Sequence, residues 1–214
     1  MNIYDMDFIQ LLAEANAGDT AAQVFLGVKY AEGLGVPLNY TEAVKWYKKA
    51  AERGSSEGQF NLAIMHEKGL GIPKDSTEAS RWYKKAAEQG NMVAQYNLGV
   101  FYGEGRGVPQ DYAESIRWYK KAAGQGYIDA HFNLGLVYGK GIGVPVDYHE
   151  AAKWFLIAAE HGNADAQLIM SALYSNGEGV PKNSSEAIRW CKKSADQGNA
   201  EAKYNLVILL RGNS

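Results

Sequence analysis

The chain has 214 residues, a formal net charge of −2 and one cysteine, Cys191. A balance this close to neutral lacks the basic field that nucleic acid or an anionic membrane surface demands. One cysteine forms neither an intrachain disulfide nor a thiolate metal cluster. No run approaches about 18 uninterrupted apolar residues, so no segment is expected to insert in a membrane. The opening MNIYDMDFIQLLAEANAG carries Asp5, Asp7 and Glu14 where a signal peptide needs a basic start. These features predict a cytoplasmic protein with no nucleic-acid partner, no metal and no cofactor.

In chain order, residues 1–18 predict one N-terminal capping helix, Asp5–Ala17, in which Phe8, Leu11 and Leu12 pack against the first full unit of a repeat. The five prolines (Pro37, Pro73, Pro109, Pro145, Pro181) and the five tryptophans (Trp46, Trp82, Trp118, Trp154, Trp190) both step by 36, as do Gly18, Gly54, Gly90, Gly126, Gly162 and Gly198. Five units occupy 19–54, 55–90, 91–126, 127–162 and 163–198, and 199–214 is a C-terminal half-unit with a last helix over Ala200–Leu210.

Each unit predicts two helices. The first, helix A, starts after Asp19, Ser55, Asn91, Asn163 or Asn199, all good N-caps. It stops at G-x-G-[VI]-P, where glycine takes turn conformations and proline forbids continuation. A [DN]-x-x-E string resembling a capping box then opens helix B: Asn39/Glu42, Asp75/Glu78, Asp111/Glu114, Asp147/Glu150 and Asn183/Glu186. Helix B ends at the next lattice glycine. One such pair cannot bury its own apolar face, so the copies must stack. The expected fold is all-α, with some twelve helices and no strand.

The pattern A-x-A-Q-x-x-L-G-x-x-Y-x-x-G-x-G-V-P-x-D-Y-x-E-A-x-x-W-Y-x-K-A-A-x-x-G resembles the Sel1-like repeat, a relative of the tetratricopeptide repeat. The resemblance implies an α/α solenoid, a right-handed superhelix of helix-pair repeats with helix A on the concave side and helix B on the convex side. It also implies adaptor or scaffold roles. One branch of the family staples each repeat with a cysteine pair, which this chain lacks.

Helical periodicity sorts the columns. On helix B, Ala43, Trp46, Tyr47, Ala50, Ala51 and their equivalents form the buried face, and Glu42, Lys45, Lys48, Lys49 and Glu52 the solvated one. The Lys-Lys pairs interleave with acidic columns, which argues for a solvated face rather than a nucleic-acid surface. On helix A, Ala22, Leu26, Tyr30 and their equivalents pack within the array, bordered by Gly27, Gly99 and Gly135. A second face of helix A is not polar. One column reads Val24, Phe60, Tyr96, Phe132, Leu168, Tyr204. The next reads Phe25, Asn61, Asn97, Asn133, Ile169, Asn205. A third reads Val28, Ile64, Val100, Leu136, Ala172, Ile208. The rim reads Ala21, Glu57, Val93, Asp129, Asp165, Glu201.

This stripe has two readings. In one, the aromatics fill the seam between successive A helices and the asparagines tie neighbouring helices together. In the other, the stripe is a groove for a peptide: asparagine offers a donor and an acceptor to a ligand backbone, and aromatics offer rigid contact area. The resemblance implies a peptide-binding role for Asn61, Asn97, Asn133 and Asn205; Phe25 and Ile169 depart from it. The candidate partner-binding residues are these asparagines with Phe60, Tyr96, Phe132, Tyr204 and the acidic rim of Glu57, Asp129 and Asp165. Ligand contact is expected at Asn97, Asn133, Tyr96 and Phe132 in the middle of the stripe. The rim's acidity predicts a partner segment carrying Lys or Arg. The fourth unit replaces Lys-Lys by Leu156-Ile157, a candidate contact on the convex face for a second protomer or a partner; the oligomeric state is open.

No catalytic residues are assigned. His66, His131, His149 and His161 occupy four different columns and form no metal-ligand spacing, and no nucleophile–base pair stands out. Cys191 sits in the Tyr47 column as a small buried side chain. The favoured function is a non-catalytic interaction scaffold. The alternative implied by the resemblance is a hydrolase, peptidoglycan- or β-lactam-related, with its site in the groove.

Overall fold

The computed structural model describes residues 6–212. They form twelve α-helices and no strand. The chain divides into two compact units, Met1–Asp111 and Tyr112–Ser214. The first holds α1 (Phe8–Ala17), α2 (Thr20–Glu32), α3 (Tyr40–Glu52), α4 (Ser56–Lys68), α5 (Ser76–Glu88) and α6 (Met92–Glu104). The second holds α7 (Tyr112–Gly124), α8 (Ile128–Lys140), α9 (Tyr148–Glu160), α10 (Ala164–Asn176), α11 (Ser184–Asp196) and α12 (Ala200–Gly212). The even-numbered helices are the A helices. Inside each unit every helix packs on the next one in the chain.

The helix ends follow the expected chemistry, with two corrections. Asp19, Ser55, Asn91, Asn163 and Asn199 each accept a hydrogen bond from the backbone N–H three residues on. Helix α8 starts instead after Tyr127, which offers no such bond. The capping box forms only by half. Asn39, Asp75, Asp147 and Asn183 accept from the N–H of their glutamates, but the glutamates do not reach back. Each pairs with the cation three residues ahead, at 2.6 Å for Glu42–Lys45, 2.9 Å for Glu78–Arg81, 2.6 Å for Glu114–Arg117, 3.1 Å for Glu150–Lys153 and 2.8 Å for Glu186–Arg189. The vacated N-cap amides donate to the A helix before them, as Asp75 N–H does to His66 at 2.9 Å. At the chain's start the predicted helix is shorter: Asp7 caps it, and Asp5 lies outside the described residues. The last helix runs two residues past Leu210.

Glycine is required at two kinds of place. Gly107 has φ +67°, and a side chain there would collide with the Ser76 carbonyl. Gly135 is helical, but a Cβ would lie 2.6 Å from the Phe155 ring. It is the hole into which the B helix inserts its aromatic knob, at some cost in helix propensity.

The core of the first unit begins with Leu11, Ala15, Ala22, Leu26 and Trp46, against which Phe8, Leu12 and Phe25 pack. Tyr30 and Phe8 meet in a T-shaped contact with ring centroids 6.3 Å apart. In the second unit Phe155, Met170, Leu173 and Trp190 form a corresponding cluster with five alanines.

Candidate protein-interaction site

The ties between helices come mainly from a buried glutamine column. Gln23, Gln59, Gln95 and Gln167 each donate to a carbonyl at the end of the preceding B-type helix, at 2.9–3.2 Å. The Gln59 and Gln167 oxygens accept from Gln89 and Gln197, both at 2.8 Å. Each of these two amides fastens three segments of chain and leaves no buried polar group of its own unpaired. Gln23 differs, since its oxygen is buried without a partner. Arg53 stands where Gln89 and Gln197 donate, and it reaches the Gly18 carbonyl at 3.2 Å instead.

The lysine column of helix B is exposed but not idle. Lys49, Lys85, Lys121 and Lys193 lie over the rings of Trp46, Trp82, Trp118 and Trp190, 3.9–4.5 Å from the centroids. The fourth repeat places Ile157 in that column. Leu156 and Ile157 are half-buried rather than fully solvated, and Leu156 packs on the core cluster.

On the A helices the stripe separates into parts. Val24 is buried. Phe60 and Phe132 are half-buried, with ring centroids 6.0 Å from Tyr83 and 5.8 Å from Phe155, the knobs of their own repeats. Tyr96 is half-buried, and Tyr204 is 69% exposed. Glu57, Asp129, Asp165 and Glu201 are all exposed, as a rim should be.

The asparagines are all half-buried. Asn97 hydrogen-bonds the Tyr83 hydroxyl of the preceding B helix. That hydroxyl donates to Glu67 at 2.6 Å, and Arg106 holds the other Glu67 oxygen at 3.0 Å. Burial first, then Glu67, pushes the Tyr83 phenol far above its usual pKa; Arg106 and Asn97 oppose this. Fourteen residues separate Asn97 from Tyr83, and the same offset pairs Asn61 with Tyr47 and Asn133 with Tyr119. Where the knob loses its hydroxyl the asparagine goes too: Ile169 follows Phe155, and Phe25 follows Leu11. Asn205 is the exception. Its knob is Cys191, buried, its thiol pushed up by burial and hydrogen-bonded to the Ala202 carbonyl at 3.2 Å.

Asn205 lies instead on an open pocket of about 510 Å³ between α10 and α12. The wall draws on every column of the stripe: Leu168, Ile169, Ala172, Ile208 and Asn205, with Asp165 and Glu201 at the rim and Ser171, Ser175, Asn176 and Leu209 beside them. The signal for this pocket was present in the sequence as Ala172, the smallest member of a column otherwise Val, Ile or Leu.

Three of the four histidines are engaged by the backbone. His131, His149 and His161 each contact a different main-chain carbonyl, of Tyr127, Gly179 and Ile157, at 2.9, 3.1 and 2.8 Å. No group of three or more metal-ligating side chains converges among the described residues. No helix among them is long and apolar enough to cross a membrane.

A fold made of stacked helix pairs, with an open pocket on an A-helix face, defines a helix-pair repeat protein. More particularly, the Sel1 repeat profile matches residues 20–55, 56–91, 93–127, 128–163 and 164–199, and the chain belongs to the Sel1 repeat family. Its solenoid is shared with a protective antigen, c5321, of uropathogenic Escherichia coli strains: 37% identity over 95% of this chain, TM-score 0.93. The match spans 44% of that antigen's length, so this chain corresponds to less than half of it. A Sel1 repeat protein from Oxalobacter formigenes is 39% identical over 91% of this chain and 80% of its own, with TM-score 0.85. A search of curated proteins gave no match. Sel1 repeats typically serve as protein-interaction scaffolds.

Proposed function

We propose that this chain is a non-catalytic adaptor that takes a peptide or protein segment on the faces of its A helices. The observation that carries the reading is the α10/α12 pocket, because its wall is assembled from the same columns that repeat along the A helices. Its apolar floor and separate polar groups suit a segment with side chains to bury and a backbone to satisfy. The wider surface proposed for contact comprises Asn61, Asn97, Asn133 and Asn205, the aromatics Phe60, Tyr96, Phe132 and Tyr204, and the acidic rim of Glu57, Asp129 and Asp165. Leu156 and Ile157 are proposed as a separate contact on the B-helix face.

Capture of partners from native lysate by the full chain, followed by cross-linking mass spectrometry, tests the reading. Cross-links from a captured partner are expected on A-helix residues, with Glu57, Asp129, Asp165 and Lys203 as the reactive positions. Cross-links confined to B-helix lysines such as Lys48 and Lys120 would overturn it.

A further inference from the structure

We propose that the α10/α12 pocket of the second unit is a subsite for a peptide segment that presents a Lys or Arg side chain beside an aliphatic one. The proposal rests on the interaction reading above and assigns that reading a location and a ligand chemistry.

Three departures from the repeat coincide here. Ala172 stands in a column of Val, Ile and Leu, so side-chain volume is missing from the face of α10 toward α12. The cavity follows from that deletion, since packing elsewhere in a repeat is filled by the consensus residue. Ile169 replaces asparagine and lends the floor an apolar branch. Cys191 replaces the tyrosine whose hydroxyl engages Asn97 in the first unit, which leaves the Asn205 amide on the pocket wall with no bonded partner among the described residues. An amide so placed donates to and accepts from one peptide group.

Charge decides the class of side chain. Asp165 and Glu201 line the pocket, and no Lys, Arg or His does. Asp165 accepts from the Asn199 amide at 3.1 Å, a neutral donor that leaves its charge uncompensated. An incoming ammonium or guanidinium is attracted to this mouth, and an acidic side chain or a terminal carboxylate is repelled. The aliphatic neighbour of that cation fills the space over Ala172.

The test uses the full chain, isotope-labelled, titrated with capped heptapeptide pools that hold Lys, Met or Glu at the centre and Ala, Val, Leu, Ser or Thr around it. Met keeps the length of Lys without its charge. The Lys pool should move the Asn205 side-chain amide and the Ala172 methyl resonances saturably, binding at least threefold more tightly than the Met pool, and the Glu pool should bind least. Ala172→Leu restores the residue that α8 carries at Leu136; it should keep the melting temperature and weaken the Lys pool at least tenfold. Equal binding of all three pools would overturn the charge assignment. A pool that binds but shifts only other A-helix positions would overturn the subsite and leave the scaffold reading standing. No saturable shift with any pool at millimolar peptide would overturn the subsite as well. In that event the lysate cross-linking judges the scaffold reading separately.

Discussion

The step from α2 to α4 in the first unit and the step from α10 to α12 in the second use equivalent columns to different ends. In the first, α2 packs directly against α4, Phe25 packs on the core, and Tyr47 inserts its ring against Gly27. In the second, the corresponding positions are Ile169, Cys191 and Ser171, with Ala172 in place of Val28, and an open pocket separates the helices. The difference shows how a repeat protein makes a binding site. The consensus residues hold helices together, and room for a ligand appears where the consensus is locally subtracted. A departure from the repeat therefore points to a site more sharply than the repeat itself does.

The knob-and-hole contact offers the strongest way to break the comparison. Gly27→Val forces a branched side chain into the Tyr47 ring and should cost about 3 kcal/mol by overpacking. Ser171→Val faces the small Cys191 and the pocket and should cost about 1 kcal/mol, mainly the lost bond to the thiol. Urea unfolding of both variants checks this; equal costs would show that the second step is packed like the first.

Alkaline unfolding probes the tyrosine knob of the first step. The knobs Tyr47 and Tyr83 of the first unit are buried, and burial, followed by Glu32, raises Tyr47 to about 12. A raised phenol pKa favours the neutral form in the fold. This stabilisation is fully present below pH 10 and is lost as pH climbs through 12. The loss should be on the order of 2 kcal/mol. Tyr47→Phe should lessen the alkaline loss monitored by circular dichroism, with Tyr83 keeping its own share, whereas an unchanged curve would remove Tyr47 ionisation as a cause.

A double-mutant cycle sharpens the asparagine assignment. Asn97→Ala should cost about 1 kcal/mol, and much less in a Tyr83→Phe background, because the bond it makes is then already gone. Full additivity would detach Asn97 from Tyr83. The smallest expected effect lies on helix B: Ile157→Lys would place a cation over Trp154, as Lys49 lies over Trp46, and should gain about 0.5 kcal/mol in thermal denaturation. The same change should weaken any partner that uses Leu156 and Ile157.

Most of the fold was legible because the repeat supplies its own control. Proline, glycine and N-cap positions recur at one spacing, so the helix boundaries in the chain's middle came within a residue or so of those observed. The capping glutamates were misread in part, since the string Asn39–Glu42 fits both a capping box and a forward ion pair, and only the position of Lys45 decides between them. The glutamine ties were not legible: Gln59 meets Gln89 across 30 residues of chain. The site was half legible. The stripe was visible as columns, but whether an asparagine is free depends on the knob of the preceding helix, and that pairing emerges only once Asn97 is seen beside Tyr83.

The central claim is that Asn97 engages the preceding helix while Asn205 faces the ligand of the α10/α12 pocket. Measuring melting temperature and Lys-pool affinity side by side for Asn97→Ala and Asn205→Ala tests it most directly. Asn97→Ala should melt several degrees lower and bind as the parent does, whereas Asn205→Ala should melt as the parent does and bind between about threefold and tenfold more weakly. The opposite pattern, with Asn205 needed for stability and Asn97 for binding, would contradict the account.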